Sequence, residues 1–394
     1  MDGHHASEAL MVLFIVFVAA QIGAEIVQRM KLPAVVGEIA AGCAIGPFGL
    51  GLISLSEPLE VLAEIGAVLL LFSVGLETSL NDLRRIGKTA MLVGIAGVIL
   101  PFISGGLWAY GSGFNLAKSM FIGAAFVATS VGITARVLQE LKVMDRTESK
   151  MILGSAVIDD ILAMLLLGLV TSFQATGSVE PLKLSLVIVQ ALVFIVLIAV
   201  MGVRLIKRSS NLLELPINPH SPLTLSIAGC LGLAAASGYV GLAAIIGAFL
   251  AGMVMSESQQ KHTLEKQMEP ISAFLVPFFF VVTGAKVDLA QLASWDMIVT
   301  VLIVSVLAIA SKLIGCGLAA RSLGKRSALI VGMGMVPRGE VGIIVASLGL
   351  QAGVFTNSVY GVIIAMSLIT SLVGPLALKR LISGHATAEG PAPG

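Results

Sequence analysis

Apolar residues run along this chain in long unbroken stretches, and polar positions gather between them in short clusters. A helix that crosses a bilayer needs about 20 mostly apolar residues, because it rises about 1.5 Å per residue through roughly 30 Å of hydrocarbon. By that measure the pattern predicts thirteen spans, at 9–29, 33–53, 60–78, 88–111, 117–139, 150–173, 183–206, 222–238, 240–256, 270–286, 297–319, 327–350 and 357–381. The runs are continuous rather than alternating, so helices are expected and a strand barrel is not. Only Ser237-Gly238-Tyr239 separates the eighth span from the ninth, and the tenth is short.

Composition agrees with a lipid solvent. Of 394 residues 57% are hydrophobic and 12% charged, and the mean hydropathy is +1.01. Soluble domains carry about a quarter charged residues. The 14 prolines and 43 glycines fit a bundle of membrane helices, where both are commoner than in soluble ones. A net charge of +1 gives no sign of a nucleic-acid partner. Cys43, Cys230 and Cys316 fall in apolar segments at unrelated spacings and read as small core residues, not as a disulfide framework or metal site. The acidic, His-bearing start lacks the basic region of a signal peptide, and His4 and His5 read as an exposed tail. Residues 382–394 read as a short disordered tail with no regulatory domain.

The basic residues orient the bundle. With the N-terminus outside, the odd loops and the C-terminal end hold nineteen Lys and Arg, and the opposite side holds only Lys118, Lys183 and Lys286. The positive-inside rule therefore predicts an outside N-terminus and a cytoplasmic C-terminus, in the cell (inner) membrane. Shifted by about 210 residues, the chain matches itself: Val36-Gly37 through Ala41-Gly42 against Ile246-Gly247 through Ala251-Gly252, and Ser130-Val131-Gly132-Ile133 against Glu340-Val341-Gly342-Ile343. Leu71 to Gly75 matches Phe280 to Gly284 one residue off that shift. Seven spans separate the copies, an odd number, so the second copy is expected upside down, with spans 1–6 and 8–13 as inverted-topology repeats.

Polar groups inside the spans carry the chemistry. Asp159 and Asp160 sit in the middle of span 6, although one carboxylate at bilayer depth costs about 2.5–3.5 kcal/mol on insertion scales. Two neighbours also repel each other, so something must neutralise them, and protons and small cations are the candidates that come and go. They point about 100° apart on a helix. Lys312, mid-span in span 11, is the natural counter-charge, either as a switch tipped by an incoming cation or as a permanent lock. Pro337 and Gly339 predict a helix break in span 12, and Thr129, Ser130 and Gly132 mark the equivalent depth of span 5. Crossed discontinuous helices of that kind expose backbone groups at the midplane. Thr129 and Ser130 offer oxygens to an ion, or bond back to their own helix. Arg338 and Glu340 flank Gly339 and either neutralise helix ends, the favoured reading, or guard a funnel. Glu77 is expected to be solvated at a cytoplasmic end, while Glu38 and Glu64 are candidates for a funnel or a subunit contact.

Nothing in the chain points to an enzyme or a cofactor. The Gly-rich strings lie in apolar spans without a following Lys-Ser/Thr, and no histidine occurs inside a span. A cation channel, an organic-anion carrier and a non-transporting scaffold are rival classes: a channel needs no inverted moving halves, an anion carrier should lack the buried aspartate pair, and a scaffold offers no reason for charges in spans 6 and 11.

Asp159-Asp160, Thr129-Ser130, Lys312 and Pro337-Arg-Gly-Glu together resemble the bacterial sodium/proton antiporters of the cation:proton antiporter superfamily (monovalent cation:proton antiporter 2 type), over about residues 9–381. The layout looks most like the NapA branch. The resemblance implies an all-α NhaA/NapA-like antiporter fold. Residues 9–78 and 222–286 would form a dimerisation scaffold, 88–173 and 297–381 a moving ion-transport core, and 183–206 a linking helix. It implies Asp160 as the cation-binding carboxylate, Asp159 as the partner of Lys312, and a homodimer. The Asp-Asp pair resembles electrogenic members that exchange two protons for one Na⁺ or Li⁺. A potassium/proton antiporter is the alternative, with an organic-anion/sodium symporter on the same fold further off.

Overall fold

The computed structural model describes residues 2–78, 80–176, 189–190, 192–202, 204, 206, 221–240, 242–288 and 294–386. Within these the chain is helical: α1 (Asp2–Arg29), α2 (Ala34–Ile45), α3 (Glu57–Leu76), α4 (Leu80–Gly111), α5 (Leu116–Val127), α6 (Val131–Glu140) and α7 (Thr147–Thr176) come first. After a π-helical turn at Ile198–Gly202 follow α8 (Ser221–Tyr239), α9 (Ala244–Met255), α10 (Lys261–Ala285), α11 (Trp295–Ala319), α12 (Lys325–Gly334), α13 (Glu340–Gln351) and α14 (Asn357–Ala386). Nine spans among the described residues are long and apolar enough to cross a bilayer, one of them made of α5 and α6 in line. Large apolar side chains remain exposed along α1, α4 and α11, among them Phe14, Ile22, Leu92, Ile103, Ile303 and Val306. In lipid such surfaces carry no penalty.

Several elements differ from the hydropathy pattern: α1 starts at Asp2 and α4 at Leu80, ahead of the expected 9 and 88, so His4 and His5 belong to a helix rather than to a loose tail. The second span is helical only over Ala34–Ile45, because Gly46 and Pro47 end the helix and Gly51 takes a left-handed φ of 65°. The tenth is longer than its apolar run: α10 starts at Lys261, and its polar first turns lie against a water-accessible funnel rather than lipid. α14 continues to Ala386, so residues 382–386 of the expected tail are helical and 387–394 lie outside the described residues. Most of the expected linking helix at 183–206 also falls outside them.

Glycines set how the helices meet. A Cβ built on Gly42 would lie 2.0 Å from the Val281 carbonyl oxygen, and one on Gly75 would lie 2.3 Å from that of Phe249, so α2 meets α10 and α3 meets α9 backbone to backbone. α1 with α2 (Gly23, Gly37) and α8 with α9 (Gly247) are packed the same way. A second set of close approaches joins α4 to α5 (Gly123), to α7 (Gly94) and to α11 (Gly315), and α11 to α12 (Gly332). Where α6 faces α10, Gly132 instead looks onto the Phe279 ring edge at 3.3 Å, a side-chain contact.

Candidate functional site

Both expected helix breaks are present and touch. α5 stops at Val127 and α6 starts at Val131; α12 stops at Gly334 and α13 starts at Glu340. The Ser130 amide donates to the Pro337 carbonyl at 2.7 Å, and the Thr134 hydroxyl donates to the last α12 carbonyl, Gly334, at 2.7 Å. Gly339 allows this approach, since a Cβ there would sit 2.7 Å from Ser130 Oγ. Helix ends leave carbonyls and amides without intrahelical partners, and hydrocarbon offers no water to satisfy them. Here the N-terminal turn of α6 meets the C-terminus of α12.

Arg338 meets the other C-terminus. It is 0% exposed, and its guanidinium donates to Phe126 O at 2.6 and 3.1 Å, to Val336 O at 3.0 Å and to Ala308 O at 3.1 Å. The Arg338 carbonyl in turn accepts the Ser371 hydroxyl. A cation on the last turn of α5 offsets the negative end of that helix. The side chain of Glu340 lies outside the described residues.

On α7, Asp159 and Asp160 are 0% and 4% exposed. Asp159 Oδ1 accepts from Lys312 Nζ at 2.6 Å, and Lys312 is itself 0% exposed. Asp159 Oδ2 has no hydrogen-bond partner among the described residues, nor has the buried hydroxyl of Ser155, one turn earlier on the same helix face. Ser155 is not marked by charge or by a helix break in the sequence; its one signal there is the i−4 spacing from Asp159. Asp160 looks into a small cavity with Leu71, Val131, Ile245 and Phe249. That cavity has room for the centre of one water-sized sphere, about 10 Å³. Val131 opens α6, so the cavity borders a helix N-terminus, where negative charge is stabilised. Thr129 Oγ1 lies 3.5 Å from the carbonyls of Val127 and Met335, long for a hydrogen bond.

A funnel of about 690 Å³ opens at the end of the molecule formed by the C-termini of α3 and α6 and the start of α10. It is lined by Glu77, Arg136, Glu140, Lys261 and Glu265, among others. Funnel and Asp160 cavity are lined by the same two helices, Arg136 and Val131 on α6 and Ser73 and Leu71 on α3, and neither aspartate lines the funnel. The aspartates thus neither face bulk water nor lie far from it. Glu77 is half-buried rather than solvated and accepts from Gln139 Nε2 at 2.8 Å. Burial pushes its carboxyl above the ordinary range, opposed by the Gln139 hydrogen bond. Glu38 is 2% exposed and 4.0 Å from Arg136, which also pairs with Glu140 at 3.2 Å, while Glu64 is exposed on α3.

These features define a class: a polytopic helical membrane protein with two touching helix breaks beside buried, oppositely charged side chains. The chain belongs to the sodium/hydrogen exchanger family, whose transmembrane model matches residues 12–384. It is 34% identical over 377 residues to a Na⁺/H⁺ antiporter of Enterococcus hirae, covering 94% of this chain and 97% of that protein. It is 36% identical over 371 residues to the Na⁺/H⁺-K⁺ antiporter GerN of Bacillus cereus, with 93% and 94% covered. Its fold is similar to that of the sodium proton antiporter MjNhaP1 of Methanocaldococcus jannaschii, with a TM-score of 0.74 at 16% identity over 98% of this chain and 99% of that one.

Proposed function

We propose that this protein is a secondary antiporter that exchanges Na⁺ or Li⁺ for H⁺ across the cell membrane, with Asp160 and Asp159 as the shared site. One observation carries the reading: two adjacent carboxylates are buried in the middle of one apolar helix, with the buried Lys312 ammonium 2.6 Å from Asp159. Asp160 and the Asp159 oxygen not held by Lys312 can take protons, or one cation completed by oxygens such as the Ser155 and Thr129 hydroxyls. Hard cations prefer oxygen ligands. A bare Asp160 crossing an apolar surface carries a cost of several kcal/mol, which either load removes. The core therefore moves only when loaded, and exchange follows.

The glycine pattern supports a scaffold (9–78 and 222–286) and a moving core (88–173 and 297–381). Close backbone approaches occur within each group, while Asp160 lies against large side chains of α3 and α9 across the boundary. Side chains without interlocked backbones suit sliding, as an elevator motion requires. Two features support the inverted repeat. α2 and α9 are both 12 residues long and start 210 positions apart at Ala34 and Ala244, and both broken helices carry their gaps at matching places. The thirteen-span NapA-like layout, the homodimer, two protons per sodium ion and an outside N-terminus belong to the same proposal. Potassium is the second reading, since the relative GerN is named for it.

Adding Na⁺, Li⁺ or K⁺ to reconstituted vesicles that hold a pH gradient tests the reading. Collapse of the gradient by Na⁺ or Li⁺ is expected. Collapse by K⁺ alone would move the assignment to potassium, and collapse by none of the three would refute cation/proton exchange.

A further inference from the structure

The Lys312–Asp159 pair has a third wall, α4. Three glycines bring that helix against the two that carry the pair. Gly94 abuts Ser155 O of α7, with a built Cβ at 3.1 Å, and Gly315 of α11 abuts Ala96 O, with one at 2.8 Å. The third, Gly97, faces the pair itself. A Cβ there would lie 2.9 Å from Cys316 Sγ, 3.1 Å from Asp159 Oδ1 and 3.4 Å from Lys312 Nζ. Cys316 has little room to withdraw, because it is fully buried and its thiol lies 3.6 Å from the Val93 carbonyl of the same α4. Any side chain at 97 therefore presses on the thiol and the carboxylate and touches the ammonium.

α4 is also opened at this level. Pro101 lies inside the helix and has no N–H, so the carbonyl four residues earlier, that of Gly97, lacks its helical donor. The ammonium of Lys312 has three donors, and among the hydrogen bonds described it uses one, to Asp159. A donor with capacity left and a carbonyl without its usual donor thus sit at one depth in a bundle whose interior offers little water.

We infer that the Gly97–Pro101 segment of α4 is a positioning element for the Lys312–Asp159 pair. Gly97 keeps open the space in which the pair closes, and the carbonyl that Pro101 leaves without a donor is the acceptor for the ammonium when it parts from Asp159. The inference rests on reading that pair as the switch of the exchange reaction proposed above.

The test uses the full chain in proteoliposomes, comparing wild type with Lys312→Gln, Gly97→Ala, Gly97→Ala/Cys316→Ala and Pro101→Ala. The readouts are the pH of half-maximal Na⁺/H⁺ exchange, turnover and the Na⁺ concentration for half-saturation. Gly97→Ala should move the pH midpoint in the same direction as Lys312→Gln, by about half a unit, a fraction of the 1–3 units that a close opposite charge commands. Removing the thiol in the double variant should restore at least half of that shift, which generic loss of packing would not do. Pro101→Ala returns an N–H to the Gly97 carbonyl without touching the pair. It should lower turnover about tenfold, roughly the worth of one buried hydrogen bond, and leave Na⁺ half-saturation in place. If Gly97→Ala alone does not fold, the double variant and Pro101→Ala decide. A Lys312→Gln shift with no shift in the Gly97 variants and normal turnover in Pro101→Ala would overturn the positioning role alone. A Lys312→Gln protein with the wild-type profile would overturn the switch, and this role with it.

Discussion

Replacing Lys312 by glutamine asks what the buried ion pair contributes. Lys312 and Asp159 are both 0% exposed and 2.6 Å apart, and the second Asp159 oxygen has no hydrogen-bond partner among the described residues. Removing the ammonium takes the nearest counter-charge from a carboxylate in a medium that solvates it poorly, leaving the buried Arg338 as a more distant cationic neighbour. Breaking a buried pair from one side typically costs about 3–5 kcal/mol, mostly the penalty of the orphaned charge. At about 2 °C per kcal/mol for a long chain, the melting temperature in detergent at pH 8 should fall by about 6–10 °C. Neutralising the orphan by Asp159→Asn removes most of that penalty. Lys312→Gln/Asp159→Asn should therefore melt within about 3 °C of wild type. Under the proposed exchange of two protons per sodium ion, the variant should carry less charge per sodium ion in a solid-supported-membrane current. A single variant as stable as wild type at pH 8, or a double variant no better than the single, would refute an energetically coupled pair. An unchanged current per sodium ion would reduce Lys312 to a structural lock.

Two further substitutions probe the break and the funnel. Arg338→Gln strips most of the donors from the carbonyls of Phe126 and Ala308. It should lower stability by about 2–5 kcal/mol whether or not Na⁺ is present; a thermal-shift curve that Na⁺ restores fully would point instead to a role in ion binding. Glu77 has its carboxyl raised by burial, so the folded protein holds that proton to higher pH than the unfolded chain does. Its contribution is whole below the unfolded value and is lost as the pH rises through the folded one. Glu77→Gln should then be neutral at pH 4 and stabilising at pH 8; equal melting shifts at both pH values would contradict this.

The parts of the fold legible in the sequence are those written in single residues. Pro337 and Gly339 announce a break because one lacks a donor and the other tolerates unusual dihedrals, and the structure breaks there. Lys312 and Asp159 are conspicuous because charge at bilayer depth needs a partner, and here the two meet. What could not be read depends on groups that no residue type advertises. Arg338 finds the carbonyl of Phe126, 212 positions away, and carbonyls look alike along a chain. Gly97 is one glycine among 43 in the sequence, and only its neighbours in the fold set it apart. Hydropathy also mistakes length wherever a helix faces a funnel, as at the polar start of α10. Arg136 counts as a loop charge by composition but lies on α6 against Glu38.

The central claim is that Asp160 carries the transported ions in turn. Asp160→Asn keeps the size of the side chain and removes the charge that both a proton and a cation would neutralise. In proteoliposomes with an imposed pH gradient the variant should reconstitute as well as wild type and show no proton movement on addition of Na⁺ or Li⁺. Sodium-driven proton movement at the wild-type rate in Asp160→Asn would contradict the account.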